Sequence, residues 1–268
     1  MIKLDCNAFT GPWPFHKVRN RDFAALEAMH RQNGVGGGFV SSTEAIFYND
    51  PLEADQDLAR ELAGRKDYRQ VVTVNPTLPG TCAQLRHAIR ELDVAGVRIL
   101  PGLHGYPLHD PGLEKLCAVL EEERLPLFLT LRMEDARVEY LLKSQAISGW
   151  DLTGFLERHT NFPILLCNIH TFELQGLNSV LFQQDNVFAD ISGFKESSFC
   201  IEDMLEGGYG NRLVYGSTAP IFCLRSTLLL LETAQIPEAD KAAVFGAQTF
   251  LDALEPRCRP QVKELALV

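Results

Sequence analysis

The chain has 268 residues, of which 46% are hydrophobic and 22% charged, with a formal net charge of −10 and a pI near 5.2. These values exclude a disordered or fibrous class, and the acidic surplus opposes nucleic-acid binding, which needs clustered Lys and Arg against phosphates. No apolar run approaches the roughly 20 residues that span a bilayer, and no basic segment followed by an apolar stretch opens the chain, so no membrane partner is expected.

The first element is the run Ile2-Lys3-Leu4-Asp5-Cys6-Asn7, strand-like almost from the first residue. In a regular strand alternate side chains share a face, so Asp5 and Asn7 are expected to project together. Further apolar runs follow at Gly36 to Ser41, Gln70 to Val74, Gly96 to Leu100 and Pro126 to Leu131. Pro163 to Asn168, Val187 to Ile191 and Arg212 to Gly216 make eight strand candidates. Most are continuously apolar, as suits parallel strands covered on both faces.

Helical spacing lies between them. Phe23 to Arg31 ends near Asn33-Gly34, and Cys82 to Leu92 ends near Gly96. Asp50-Pro51-Leu52-Glu53 carries an N-cap acid, Pro at the first helical position and an acid three residues on; Asp110-Pro111 repeats the device. Ile221 to Ala234 and Ala239 to Leu254 both read as helical, giving the last unit an extra helix. No linker interrupts the series. Eight strand–helix alternations joined by right-handed crossovers predict a single-domain α/β chain, a (β/α)8 barrel, with an open doubly wound sheet as the alternative.

Function in such a barrel sits at the carboxyl ends of the strands. The residues there are polar: Asp5 and Asn7 after the first strand, Arg98 within the fourth with His104 and Tyr106 after it, and Arg132 and Glu134 after the fifth. Asn168 and His170 close the sixth, Asp190 and Ser192 the seventh, and Ser217 and Thr218 follow the eighth. Arg132, Glu134, Asp135 and Arg137 form an alternating-charge stretch that also suits a solvated helix start. Trp13 and Phe15, set between prolines, line the site or plug the barrel mouth. The remaining histidines, His30 among them, fall in helical or surface contexts and read as ordinary. The seven cysteines are scattered without metal-binding spacing, which fits a reducing cytoplasm.

Taken together, Asp5-x-Asn7, the Pro163-Ile164-Leu165-Leu166 strand, Asn186 to Ser192 and Leu213 to Pro220 resemble the amidohydrolase-related family of TIM-barrel metal-dependent hydrolases. Gly246 to Leu251 is similar to that family's closing helix. The resemblance runs end to end and implies the barrel, a small-molecule substrate and a pairing of two copies. It also implies metal ligands: His-x-His where this chain has Asp5 and Asn7, and His where it has Thr130 and Asn168. The last expected ligand is an Asp, where Thr218 stands. Amide and hydroxyl oxygens bind zinc or manganese weakly, so a divalent metal at the usual place is disfavoured.

Three readings follow. In the first, the chain is a hydrolase or lyase acting without metal on a small anionic molecule. Arg98 and Arg132 are then the anchors, Asp5, His104, Glu134 or His170 the acid or base, and Asn7, Trp13, Tyr106, Asn168 and Ser217 the substrate contacts. In the second, Asp5, His104 and His170 converge on a shifted zinc or manganese. In the third, the barrel has lost its chemistry and serves binding or assembly.

Overall fold

A computed structural model describes residues 2–134, 144–195, 197–259 and 262; Asp135 and Arg137 of the charged stretch lie outside these. The eight strands are β1 (Lys3–Thr10), β2 (Val35–Ser42), β3 (Tyr68–Thr73), β4 (Val94–Ile99), β5 (Leu127–Thr130), β6 (Ile164–Cys167), β7 (Val187–Asp190) and β8 (Leu213–Val214). They form one sheet in sequence order, every neighbouring pair parallel. The sheet closes on itself where Cys6 N–H donates to the Tyr215 carbonyl and Thr218 N–H donates to that of Asn7. The expected (β/α)8 barrel is therefore what the chain forms.

The principal helices on the outside are α1 (Phe23–Gln32), α2 (Pro51–Leu62) and α3 (Thr81–Glu91). A single turn, α4 (Pro101–His104), precedes α5 (Pro111–Glu123), and α6 (Gly149–Arg158) follows β5. The short α7 (Thr171–Gln175) and α8 (Asn178–Leu181) follow β6, and α9 (Cys200–Glu206) follows β7. After β8 come α10 (Leu224–Glu232), α11 (Glu238–Phe245) and α12 (Gln248–Arg257). The caps read from sequence are made: Asp50 accepts from Leu52 N–H and Asp110 from Gly112 N–H, each before a proline. The region from 239 to 254 is two helices, not one, because Ala247 takes a left-handed backbone with φ +49° at the break.

Contacts between strands that are not neighbours in the sheet identify the inward face. Phe39 of β2, Phe128 of β5 and Phe188 of β7 each bring a ring within 5.4 to 6.1 Å of Phe250 on α12, so α12 plugs the amino end. At the carboxyl end Phe9, Trp13, Ile46, Leu100, Met133 and Ile221 form a second apolar cluster from the end of β1 and the loops after β1, β2, β4, β5 and β8. That cluster roofs the interior polar layer. Trp13, expected to line the site or plug the mouth, is buried in this roof.

Candidate functional site

One set of polar side chains points into the barrel below the roof. Asn7 on β1 donates through Nδ2 to Asp190 Oδ2 at 2.6 Å and to Thr218 Oγ1 at 3.0 Å. β1 and β7 are not neighbours, so this bond crosses the interior. Asp190 Oδ1 accepts from the Asn168 and Ser192 amides and from the Ser192 hydroxyl at 2.7 Å, and Thr218 Oγ1 donates to Ser192. Burial pushes the Asp190 carboxyl up, while Ser192, Asn168 and Asn7 pull it down, with burial prevailing. Asn168 and Thr218 hold positive φ, +59° and +55°. Left-handed backbone strains a threonine above all, and strain of this kind gathers at functional sites.

Arg98 on β4 completes the interior layer. Its side chain has no solvent exposure; Nε donates to Ser41 Oγ at 2.8 Å and Nη1 to Thr130 Oγ1 at 2.7 Å. The guanidinium lies 4.4 Å from the Phe9 ring and 5.6 Å from that of Phe128. Nη2 has no hydrogen-bond partner, while the Cys167 thiol and the Asp190 and Asp5 carboxyls act on the guanidinium electrostatically. Burial pulls its pKa down, although a guanidinium stays protonated in water. Asn7 Oδ1, an acceptor on the same inward face, is also buried without a partner.

Asp5 is not part of this layer. The pairing of β1 with β2 slips between Asp5 and Ala8, where three steps on β1 match two on β2, and this bulge turns Asp5 and Asn7 to opposite sides of the sheet. Asp5 faces α1 instead: Oδ2 accepts from His30 Nε2 at 3.2 Å and from the Ser217 hydroxyl, and Oδ1 accepts from the Asn7 and Ser217 amides. His30 Nδ1 meets the Tyr68 hydroxyl at 3.0 Å. The expected shared face is thus corrected by one extra residue, and Ser217 goes with Asp5 rather than with the mouth. His30, which read as ordinary, is fully buried. The signal was present: with Phe23 and Leu26 it completes an i, i+3, i+7 stripe.

The remaining candidates stand around the rim. Arg132 forms a two-pronged pair with Glu173 of α7, at 2.8 and 2.5 Å, and bonds the Asn168 carbonyl at 2.7 Å. Asn168 returns the bond to the Arg132 carbonyl, so the ends of β5 and β6 are tied to each other. Burial raises the Glu173 carboxyl, but Arg132 and the His170 amide outweigh it and hold the group below its usual range. His170 Nδ1 lies 3.1 Å from the Gly193 carbonyl.

Glu134 accepts from Trp13 Nε1 at 2.6 Å and lies 3.0 Å from His16 Nδ1. His104 Nε2 donates to the Ile46 carbonyl at 2.8 Å, and burial lowers its pKa, so it is a neutral imidazole pinned to the loop after β2. Its ring stacks on that of Tyr106, whose buried hydroxyl has no partner. Of the expected site residues, Asn7 and Asn168 are therefore bonded to Asp190, and Arg98 is held in the same interior by Ser41 and Thr130. Arg132, Glu134 and His170 stand above it, and His104 and Tyr106 are to one side.

Among the described residues no group of three or more His, Cys, Asp and Glu side chains is placed to hold a metal. At the positions that resemble ligand positions, Asp5 faces a helix, and Asn7, Thr130, Asn168 and Thr218 present only amides and hydroxyls, hydrogen-bonded save for Asn7 Oδ1. That donor set does not fit zinc or manganese. Among the described residues, no helix is long and apolar enough to cross a membrane.

Comparison with known proteins places this geometry. No curated protein matches the chain. Solved structures do, at identities that show the fold alone. A 5-carboxyvanillate decarboxylase from Sphingomonas paucimobilis superposes with a TM-score of 0.64 at 18% identity, over 85% of this chain and 82% of that one. A probable 2-pyrone-4,6-dicarboxylic acid hydrolase from Acinetobacter baumannii, with citric acid bound, gives 0.66 at 13% identity over 95% and 100%. A dihydroxybenzoic acid decarboxylase from Polaromonas sp., with bound manganese and 2-nitroresorcinol, gives 0.67 at 14% identity over 97% and 98%. The family model described as Amidohydrolase matches residues 5–247, from β1 to the break before α12. The chain belongs to the Amidohydrolase family.

Proposed function

We propose that the protein is a hydrolase or lyase acting on a small carboxylated molecule at the carboxyl end of the barrel, with its own side chains rather than a divalent metal doing the chemistry. The observation that carries this reading is Arg98. A buried guanidinium with one unpartnered amino group is costly unless an anion meets it; Asp190 and Asp5 act on it electrostatically, but neither carboxylate is hydrogen-bonded to it. A ligand carboxylate satisfies Nη2 and gains the strength of a charge-assisted bond in a low-dielectric interior. Asn7 Oδ1 then accepts from a hydroxyl or N–H of the same ligand. Asp190 is the proton-transfer group of this reading, since burial raises it toward the working range of a general acid or base and its Oδ2 stands beside Asn7.

Several observations support the rest. The similar structures named above include two decarboxylases of carboxylated rings and one hydrolase of a dicarboxylic acid. Manganese belongs to one of them, while the donors in this barrel are poor ones for it. All seven cysteines are free, which supports the reducing cytoplasm as its location.

The test is a turnover screen over ring carboxylates with chelator-dialysed protein. The expected result is turnover that survives the chelator and falls about 100-fold in Arg98→Met, the scale of losing substrate positioning. Turnover that appears only when manganese or zinc is added contradicts the metal-free part of the proposal. A second reading, a binding barrel without chemistry, draws on the apolar roof of Phe9, Trp13 and Met133. It expects carboxylates to bind without being consumed.

A further inference from the structure

A second site lies outside the barrel, in the cleft between α2, α3 and the outer face of β3. Asp55 sits on the buried stripe of α2 with Pro51, Ala54, Leu58 and Leu62, and is 2% exposed. One carboxylate oxygen, Oδ2, accepts from Thr73 N–H at 3.2 Å; the other, Oδ1, is buried without a partner. Thr73, 1% exposed on β3, likewise has a buried hydroxyl without a partner. Both residues line a cleft with a free volume of about 20 Å3, enough for one group of water size at its floor. Thr81, Gln84, Leu85 and Ala88, at helical spacing on one face of α3, form the opposite wall, and Leu52 and Val74 add apolar surface.

Two adjacent orphan oxygens on an apolar shelf ask for a ligand with several donors at one small head and a hydrocarbon stem behind it. A water supplies the head only, and a metal ion needs more carboxylates than this cleft has. We propose that the cleft binds a primary ammonium group, donating to Asp55 Oδ1 and Thr73 Oγ1, with its methylene stem on Leu52, Val74 and Leu85. Among the residues lining the cleft Asp55 is the one ionisable group. Burial raises its carboxyl well above the usual range, against the Thr73 amide and the Gln70 side chain. Burial disfavours the charged carboxylate in the cleft and an ammonium beside it favours that form, so binding is linked to proton release. The cleft lies outside the barrel and shares no residue with the interior layer around Arg98, so this site stands or falls independently of the proposed function.

The test is calorimetric titration of the full chain with n-propylammonium, in two buffers of different ionisation enthalpy, against 1-propanol and tetramethylammonium at matched ionic strength. Saturable binding of propylammonium alone, with proton release, is expected. Affinity should drop about tenfold or more in Asp55→Asn, the scale of a hydrogen bond to a charged group, and by less in Thr73→Val. Equal affinity in Asp55→Asn overturns the proposal, as does a wild-type protein that binds no propylammonium. Because either variant leaves β3 and α2 otherwise intact, unchanged circular dichroism accompanies the expected loss. A crystal structure grown in saturating propylammonium that shows only water at Asp55 also overturns it.

Discussion

Asp5 and His30 meet across the wall of the barrel, 3.2 Å apart between Oδ2 and Nε2. Asp5 belongs to the first strand and His30 to the first helix, and both are fully buried. The same carboxylate also gathers the Asn7 and Ser217 amides, so it clasps the seam between the first and last strands while anchoring α1 to it.

Breaking that clasp should cost stability and leave ligand affinity little changed at saturating folding conditions. Asp5→Ala is expected to lower the unfolding free energy by about 3–5 kcal/mol, the range for removing one partner of a buried charged network. His30→Ala should share part of that loss. In a double-mutant cycle by urea unfolding, the coupling between them should be on the order of 1 kcal/mol or more. Strict additivity would show that the clasp does not act as a unit.

Asp55 gives a pH dependence whose sign is fixed. Its carboxyl is raised in the folded state, so the folded chain holds the proton more tightly than the unfolded one. Stability from this group is fully present below the unfolded carboxylate value of about 3.9 and is lost as pH rises toward the folded value. Asp55→Asn, neutral at every pH, should match the wild type near pH 4 and exceed it at pH 7 by about 1–3 kcal/mol in amine-free buffer. A difference that is flat with pH would contradict the raised carboxyl.

Glu173 behaves in the opposite sense. Its folded value is depressed by Arg132, so its contribution is present above the unfolded value of about 4.3 and fades as pH falls below it. Glu173→Gln should remove that acid-side dependence and cost about 1 kcal/mol at pH 7, with the difference shrinking as pH falls through the depressed folded value. Thermal unfolding of the two proteins across that range measures it.

The barrel was legible because strands such as Ile164–Cys167 are buried on both faces and so read as unbroken apolar runs. The site was legible only in part. Arg98 stood out as a charge inside such a run. The bulge after Asp5 did not, because one extra residue in an apolar strand leaves no mark in the pattern, yet it sends Asp5 and Asn7 to opposite faces. The Arg132–Glu173 pair joins residues 41 apart through the short α7, and neither separation nor length leaves a periodic signal. His30 was readable from its helical stripe, but a histidine on an apolar face names no partner.

The most direct measurement is a crystal structure of the protein with a bound ring carboxylate taken from the turnover screen. The carboxylate is expected on Arg98 Nη2, with a hydroxyl or N–H of the ligand donating to Asn7 Oδ1 below the Phe9 and Trp13 roof. A ligand held only at the Arg132 rim, or a divalent metal coordinated within the interior layer by Asp190, would contradict it.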